Sequence, residues 1–224
     1  MTASAIPWLA AGSPPAALPD PRSALREPNG LIAAGGALSP DWLLAAYRRG
    51  IFPWYSAGQP ILWWSPDPRS VIDPARFTPH RSLRQSIRNR GYETRLDTDF
   101  EAVVAGCASP RATAAGTWIT PGMHAAYLAL HKLGHAHSVE TWHDGRLVGG
   151  LYGLRLGALF CGESMFSRAR DASKVALARL IEHARESGIL LIDCQLPTPH
   201  LASLGAVTLP RERFLERIAG LVGP

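Results

Sequence analysis

Residues 138–165, SVETWHDGRLVGGLYGLRLGALFCGESM, decide the fold. Ahead of them, Met123, Tyr127, Leu130 and Leu133 recur at helical spacing. After Gly134 the period becomes that of strands, and Ser138–Trp142, Arg146–Leu154 and Ala158–Met165 read as three extended segments. Asp144-Gly145 closes the first hairpin, because two residues tolerant of positive φ match the twist of antiparallel strands. Arg155–Gly157 turns the second. A helix over Ala172–Ser187 follows, with Leu177, Leu180, Ile181 and Ala184 facing inward and Gly188 as its stop. Ile189–Cys194 is then a buried strand. A short helix near His200–Leu204, a strand at Ala206–Leu209 and a helix from Pro210 complete an α+β order.

Upstream, the proline-rich start is expected to wrap a surface as irregular chain. Ser39 caps a helix over Pro40–Arg49, with proline at its first position and Gly50 as its stop. Ile51–Asp67 is dense in aromatic residues and prolines. Thr78-Pro79 opens a basic helix to about Asn89, Thr98 and Glu101 form a capping box for a short helix, and Thr120-Pro121 opens another. The expected organisation is a smaller, mostly helical or irregular domain over 1–70, followed by the α+β domain over 71–224.

Composition narrows the class. No apolar run approaches the roughly 20 residues of a membrane span, and no basic-then-apolar leader opens the chain, so a cytoplasmic protein is expected, with no membrane partner. Three cysteines at wide spacings give neither a disulfide framework nor a zinc motif. His131 and His135 sit four apart but lack the glutamate of HExxH, so no metal is expected. The formal net charge is +5, and the stretch Arg69–Arg95 alone carries seven arginines (69, 76, 81, 84, 88, 90 and 95) against Asp73 and Glu93. Such a surface suits a polyanion, through release of its counterions. A solvated helix face is the plain alternative.

Two acids stand out. Glu163 lies in a strand of small and apolar residues, and Asp193 ends the strand Ile189–Cys194. Carboxylates are seldom buried without a cation, a set of donors or a substrate amine. On an extended chain Gln195 projects from the same face as Asp193. The structural alternatives are that Asp193 caps the next helix and that Glu163 pairs with Arg168 or Lys174.

The runs GLIAAGGALSPDWLLAAYRRGIFPWY, PILWWSPDPR, GTWITPGM, LGHAHSVETW, LVGGLYG, CGESMFSRARDASK, LIDCQ and HLASLGA occur in order between about Glu27 and Phe214. They resemble those of the bacterial leucyl/phenylalanyl-tRNA–protein transferases, and the element order resembles the GNAT acyltransferases. The resemblance implies a GNAT-like catalytic domain behind a smaller domain that helps hold tRNA. It implies transfer of leucine or phenylalanine, less well methionine, from aminoacyl-tRNA to proteins with N-terminal arginine or lysine, which marks them for N-degron proteolysis. No cofactor is implied. Asp193 and Gln195 are then the catalytic pair, with Glu163 holding the donor's amino group. Tyr47, Trp54 and Trp118 match aromatics at the tRNA 3′ end. Leu151, Phe160, Leu177, Leu180 and Ile192 match the aminoacyl pocket, and Arg81, Arg84 and Arg88 match a patch that contacts the acceptor stem. Ala37, Pro121 and Thr198-Pro199 depart from the family pattern.

Two rivals remain at this point. A coenzyme-A-dependent N-acetyltransferase needs a glycine-bearing loop whose backbone amides hold pyrophosphate at a helix N-terminus, and the equivalent stretch here, SRARDASK, has no glycine. A non-catalytic RNA-binding module explains the charge but leaves Glu163 and Asp193 without a task.

Overall fold

Strand periodicity after Gly134 yields three long antiparallel strands at the heart of the larger of two sheets. The computed structural model describes residues 6–109 and 117–223. Residues 1–5, 110–116 (with Gly116 of the GTWITPGM run) and Pro224 lie outside the described residues. The N-terminal elements are β1 (Trp8–Leu9), β2 (Leu31–Gly35), α1 (Pro40–Arg48), β3 (Phe52–Pro53) and β4 (Leu62–Trp64). Next come β5 (Arg69–Ile72), α2 (Arg81–Asn89), β6 (Glu93–Leu96), α3 (Phe100–Ala108), α4 (Pro121–Lys132), β7 (Ala136–His143), β8 (Arg146–Leu156) and β9 (Leu159–Ser167). The chain closes with α5 (Ala172–Ser187), β10 (Leu191–Asp193), α6 (Pro199–Ser203), β11 (Val207–Leu209) and α7 (Arg211–Ala219).

The smaller sheet has the order β1-β2-β4-β3 and the larger β11-β5-β10-β9-β8-β7-β6. Asp144 and Gly145 both take positive φ at the β7–β8 turn, as that tight hairpin requires. One apolar cluster joins the smaller sheet, α1, α3, α4 and α7 to one face of the larger sheet, through Leu43, Trp63, Val104, Leu130, Tyr152 and Phe214. The opposite face packs on α5 through Leu151, Phe160, Leu177, Leu180 and Ile192. The smaller sheet ends at Trp64 and the larger begins at Arg69, but the core beneath them is continuous.

Three local expectations change. The basic helix starts at Arg81, two residues after Pro79, with His80 extended at its N-cap. The chain turns at Asp73–Phe77, and the Phe77 carbonyl accepts from Arg185 Nη2 while its ring packs beside α5, which ties down the residues before the helix. Thr98 does not cap α3. Its hydroxyl and amide donate to the buried carboxylate of Glu140, and Asp99 caps the helix instead by accepting from the Ala102 amide. His131 stacks flat on Phe100 at 4.2 Å and bonds through Nδ1 to the Ala136 carbonyl, which gives it a packing role. Among the described residues no helix is long and apolar enough to cross a membrane, and no three or more His, Cys, Asp or Glu side chains group as metal ligands.

The β8–β9 register leaves no room at Gly153, which pairs with Gly162. A Cβ there would collide with the Cys161 carbonyl oxygen and come within 2.6 Å of the Phe160 ring. Gly153→Ala is expected to cost about 2–3 kcal/mol by overpacking, read as a lowered urea midpoint. An unchanged midpoint would contradict this register.

Candidate active site

The site forms where two parallel strands part. β10 pairs with β9 only over Leu191–Asp193 against Leu159–Cys161. Beyond that point β9 continues to Ser167, while the other chain turns away at Cys194. A cavity of about 390 Å³ occupies the gap. Leu151, Leu177, Leu180, Ile192, Ile72 and Met165 give it an apolar wall. Trp54 and Trp118 stand at its aromatic side, and Glu163, Gln195 and Thr198 supply polar groups.

Glu163 is the carboxyl among the described residues that line the cavity. Tyr127 Oη donates to its Oε2 at 2.6 Å, while Oε1 is buried and accepts no hydrogen bond among the described residues. Burial pushes the carboxyl up to about 7, against the hydrogen bond from Tyr127 that favours the ionised form. Neither structural alternative for this residue holds. Lys174 pairs with Asp171 at 3.0 Å, and Arg168 lies over the Phe166 ring.

Asp193 has a different situation. In β5, Val71 is paired with Asp193, and Arg69, two residues earlier, projects from the same face. Its Nε and Nη2 donate to the two Asp193 oxygens at 2.8 and 2.7 Å, and both side chains are 1% exposed. The guanidinium lies between the Phe52 and Phe214 rings, 4.8 and 4.6 Å from their centroids. Asp193 Oδ1 also accepts from the Gln195 amide at 3.0 Å. The expectation that Asp193 and Gln195 share a face is therefore corrected. The chain leaves the extended conformation at Gln195, which takes φ 56°, so the aspartate turns to Arg69 and the glutamine to the cavity. Asp193 does not cap the next helix either, since Thr198 accepts from the Leu201 amide there. Ser70 fixes Gln195 further, its amide donating to the Gln195 carbonyl at 3.0 Å. The Gln195 Nε2 is buried without a partner among the described residues.

The other expected residues divide. Leu151, Leu177, Leu180 and Ile192 line the cavity, whereas Phe160 lies behind it and lines a second cavity of about 270 Å³. Trp54 is half-exposed and held by Trp64, whose indole Nε1 donates to the Trp54 carbonyl at 2.7 Å. Tyr47 is buried off the cavity wall, and its hydroxyl meets that of Tyr127 at 2.8 Å. It therefore reaches the site only through Tyr127 and Glu163. Arg81, Arg84 and Arg88 are exposed on α2. The wider +5 stretch is smaller as a surface than its sequence implies, because Arg69 is buried on Asp193 and Arg95 pairs with Glu93 and covers Trp142. Sequence reasoning missed Arg69, Tyr127 and Ile72. Only Arg69 carried a signal, as the one cation in the run that becomes a buried strand.

A carboxyl near 7 in the folded protein and near 4.5 when unfolded binds its proton longer in the folded state. Its burial then costs stability as pH rises from about 4.5 through 7, up to about 3 kcal/mol. Glu163→Gln is expected to gain stability relative to the parent protein between pH 5 and pH 8. Denaturation at the two pH values checks this, and a difference independent of pH would contradict it.

Residues 71–219 match the family model of the leucyl/phenylalanyl-tRNA protein transferases, and residues 36–67 match that of their N-terminal domain. A leucyl/phenylalanyl-tRNA–protein transferase from Azoarcus sp. is 60% identical over 215 residues, covering 95% of this chain and 90% of that one. Another from Aromatoleum aromaticum is 59% identical over 214 residues, covering 96% and 89%. Among solved structures the chain is similar to a GCN5-related N-acetyltransferase from Kribbella flavida, at 14% identity and a TM-score of 0.43, covering 77% of this chain and 61% of that one. By the family match and by these identities, the chain belongs to the leucyl/phenylalanyl-tRNA protein transferase family.

Proposed function

We propose that this chain transfers leucine or phenylalanine, less well methionine, from aminoacyl-tRNA to the N-terminal arginine or lysine of acceptor proteins in the cytoplasm, marking them for N-degron proteolysis. One observation carries the reading. An apolar cavity is bounded on one side by a carboxyl with a free oxygen and on another by two tryptophans. That combination suits an apolar side chain, an α-ammonium and a terminal adenine in one ligand.

The acceptor's amine attacks the ester carbonyl carbon. The acceptor's ammonium first loses one proton to solvent; as the resulting amine attacks, the new C–N bond forms, the bond to the ribose oxygen breaks, and the amine's surplus proton passes to that oxygen, which leaves as a hydroxyl. The ester is already activated, so holding amine and ester together supplies about 7–11 kcal/mol of the barrier reduction. Glu163 Oε1 receives the donor's ammonium, which separates an aminoacyl ester from a simple acyl one. Gln195 Nε2 donates to the developing oxyanion. Asp193 acts through Gln195 as a positioning residue, since both its oxygens are committed to Arg69. An apolar slot distinguishes neighbouring side chains by only about 1–3 kcal/mol per methylene, which accounts for tolerance among donors.

The N-terminus of α5 favours this reading over coenzyme A. Asp171 stands there in a left-handed conformation, accepting from Ser86 and pairing with Lys174, so a carboxylate already occupies the place that a pyrophosphate would need.

Charged tRNAs offered peptides beginning with Arg, Lys, Asp and Glu test the proposal. Leucine and phenylalanine should pass to the Arg and Lys peptides, and transfer confined to acidic N-termini would overturn the acceptor assignment. Replacing Arg81, Arg84 and Arg88 together with alanine should flatten the salt dependence of tRNA binding, lowering the log–log slope by about 2–3. An unchanged slope would remove the patch from the interface.

A further inference from the structure

Behind Glu163 lies a file of hydroxyls that the transfer chemistry does not itself use. Tyr127 of α4 spends its single proton on Glu163 Oε2, so in the 2.8 Å contact between the two tyrosines Tyr47 of α1 is the donor. Both rings are buried, and Tyr127 is wedged edge-on against Tyr152 of β8 at 5.2 Å. The carboxyl therefore cannot rotate freely. One oxygen is held by Tyr127, itself held by Tyr47, and the other is buried without a partner among the described residues, on a side chain that lines the cavity.

From this geometry we propose that Tyr127, pinned by Tyr47, is a positioning residue that presents Glu163 Oε1 to the donor's ammonium, and so sets the preference for donors with a free α-amine over N-acylated ones. The proposal rests on the reading of Glu163 as the receiver of that ammonium. Without Tyr127 the carboxylate loses a hydrogen bond that favours its ionised form, and it holds its proton to higher pH. The other groups around it are Tyr152, Cys161 beside it on β9, and the Asp193–Arg69 pair on β10 and β5. The tyrosines hold their protons well above the working pH, because burial and the charge of Glu163 both oppose their ionisation. They hold the carboxyl and do not titrate with it.

The test is single-turnover transfer between pH 5.5 and 8.5, from phenylalanyl-tRNA and from N-acetylphenylalanyl-tRNA, by the parent protein, Tyr127→Phe, Tyr47→Phe and Glu163→Gln. In Tyr127→Phe the rate from phenylalanyl-tRNA at pH 7 should fall about tenfold and the acidic limb should move up by about one pH unit. The slow rate from the N-acetylated donor should change less than about twofold. Tyr47→Phe should shift the limb in the same direction by less, and it decides the matter if Tyr127→Phe does not fold. An unmoved limb in the folded variants, or an equal loss for both donors, would overturn the proposal. Glu163→Gln with undiminished transfer strikes the underlying reading instead, so the two failures are distinguishable.

Discussion

The site depends on one buried ion pair. Arg69 and Asp193 are both almost wholly removed from water, joined by two hydrogen bonds, with aromatic rings on either side of the guanidinium. Desolvating two charges is expensive, and removing one partner of such a pair typically costs about 3–5 kcal/mol, because the other is left buried and uncompensated. The pair draws together β5, β10, β3 through Phe52 and α7 through Phe214. It also ends the parallel pairing of β10 with β9, since Asp193 takes the Gln195 amide as well and the chain turns into a left-handed conformation there. A non-glycine residue in that conformation costs about 1 kcal/mol. The strain is held by Ser70 on one side and Asp193 on the other.

The parting of the strands then fixes the rest. It leaves the cavity open between Glu163 and Gln195, with the apolar face of α5 on one side and the two tryptophans on the other. Two acids close in the sheet thus have separate tasks. Asp193 is neutralised by a cation and shapes the backbone, while Glu163 faces a cavity with hydroxyl partners alone and one oxygen free. The difference lies in their surroundings: Asp193 is buried against a cation at the end of the β10–β9 pairing, while Glu163 is part-buried beside the cavity, at the register shift within the β8–β9 pairing.

Much of this was legible in the sequence where the signal is local. The Asp144-Gly145 turn, the α5 limits Ala172–Ser187 and the Thr120 cap follow from backbone preferences of a few adjacent residues. The smaller sheet was not legible, because strands of two to five residues carry no measurable period. β5 was missed for a related reason. Its four residues are all buried and follow SPDP, so neither alternation nor turn chemistry marks them as a strand. Errors at the site were errors of tertiary context. Thr98 looks like a helix cap until Glu140 claims it, and Gln195 looks extended until Asp193 and Ser70 turn it. The resemblance matched Tyr47 to the tRNA 3′ end and Phe160 to the aminoacyl pocket, yet neither lines the cavity: Tyr47 bonds to Tyr127 behind it, and Phe160 lines the second cavity.

Asp193 shapes the site, and Glu163 supplies the ionisation on which transfer depends. The pH dependence of single-turnover transfer by Asp193→Asn tests this most directly. Asparagine keeps one oxygen to accept from Arg69 Nε and the Gln195 amide but leaves the guanidinium buried without its counter-charge, so the variant is less stable and the rate is read at a temperature where it is folded. A slower enzyme is expected, whose acidic limb persists at or somewhat below about 7, because the negative charge of Asp193 raises the Glu163 value and Arg69 lowers it. Loss of that limb would contradict the role of Glu163.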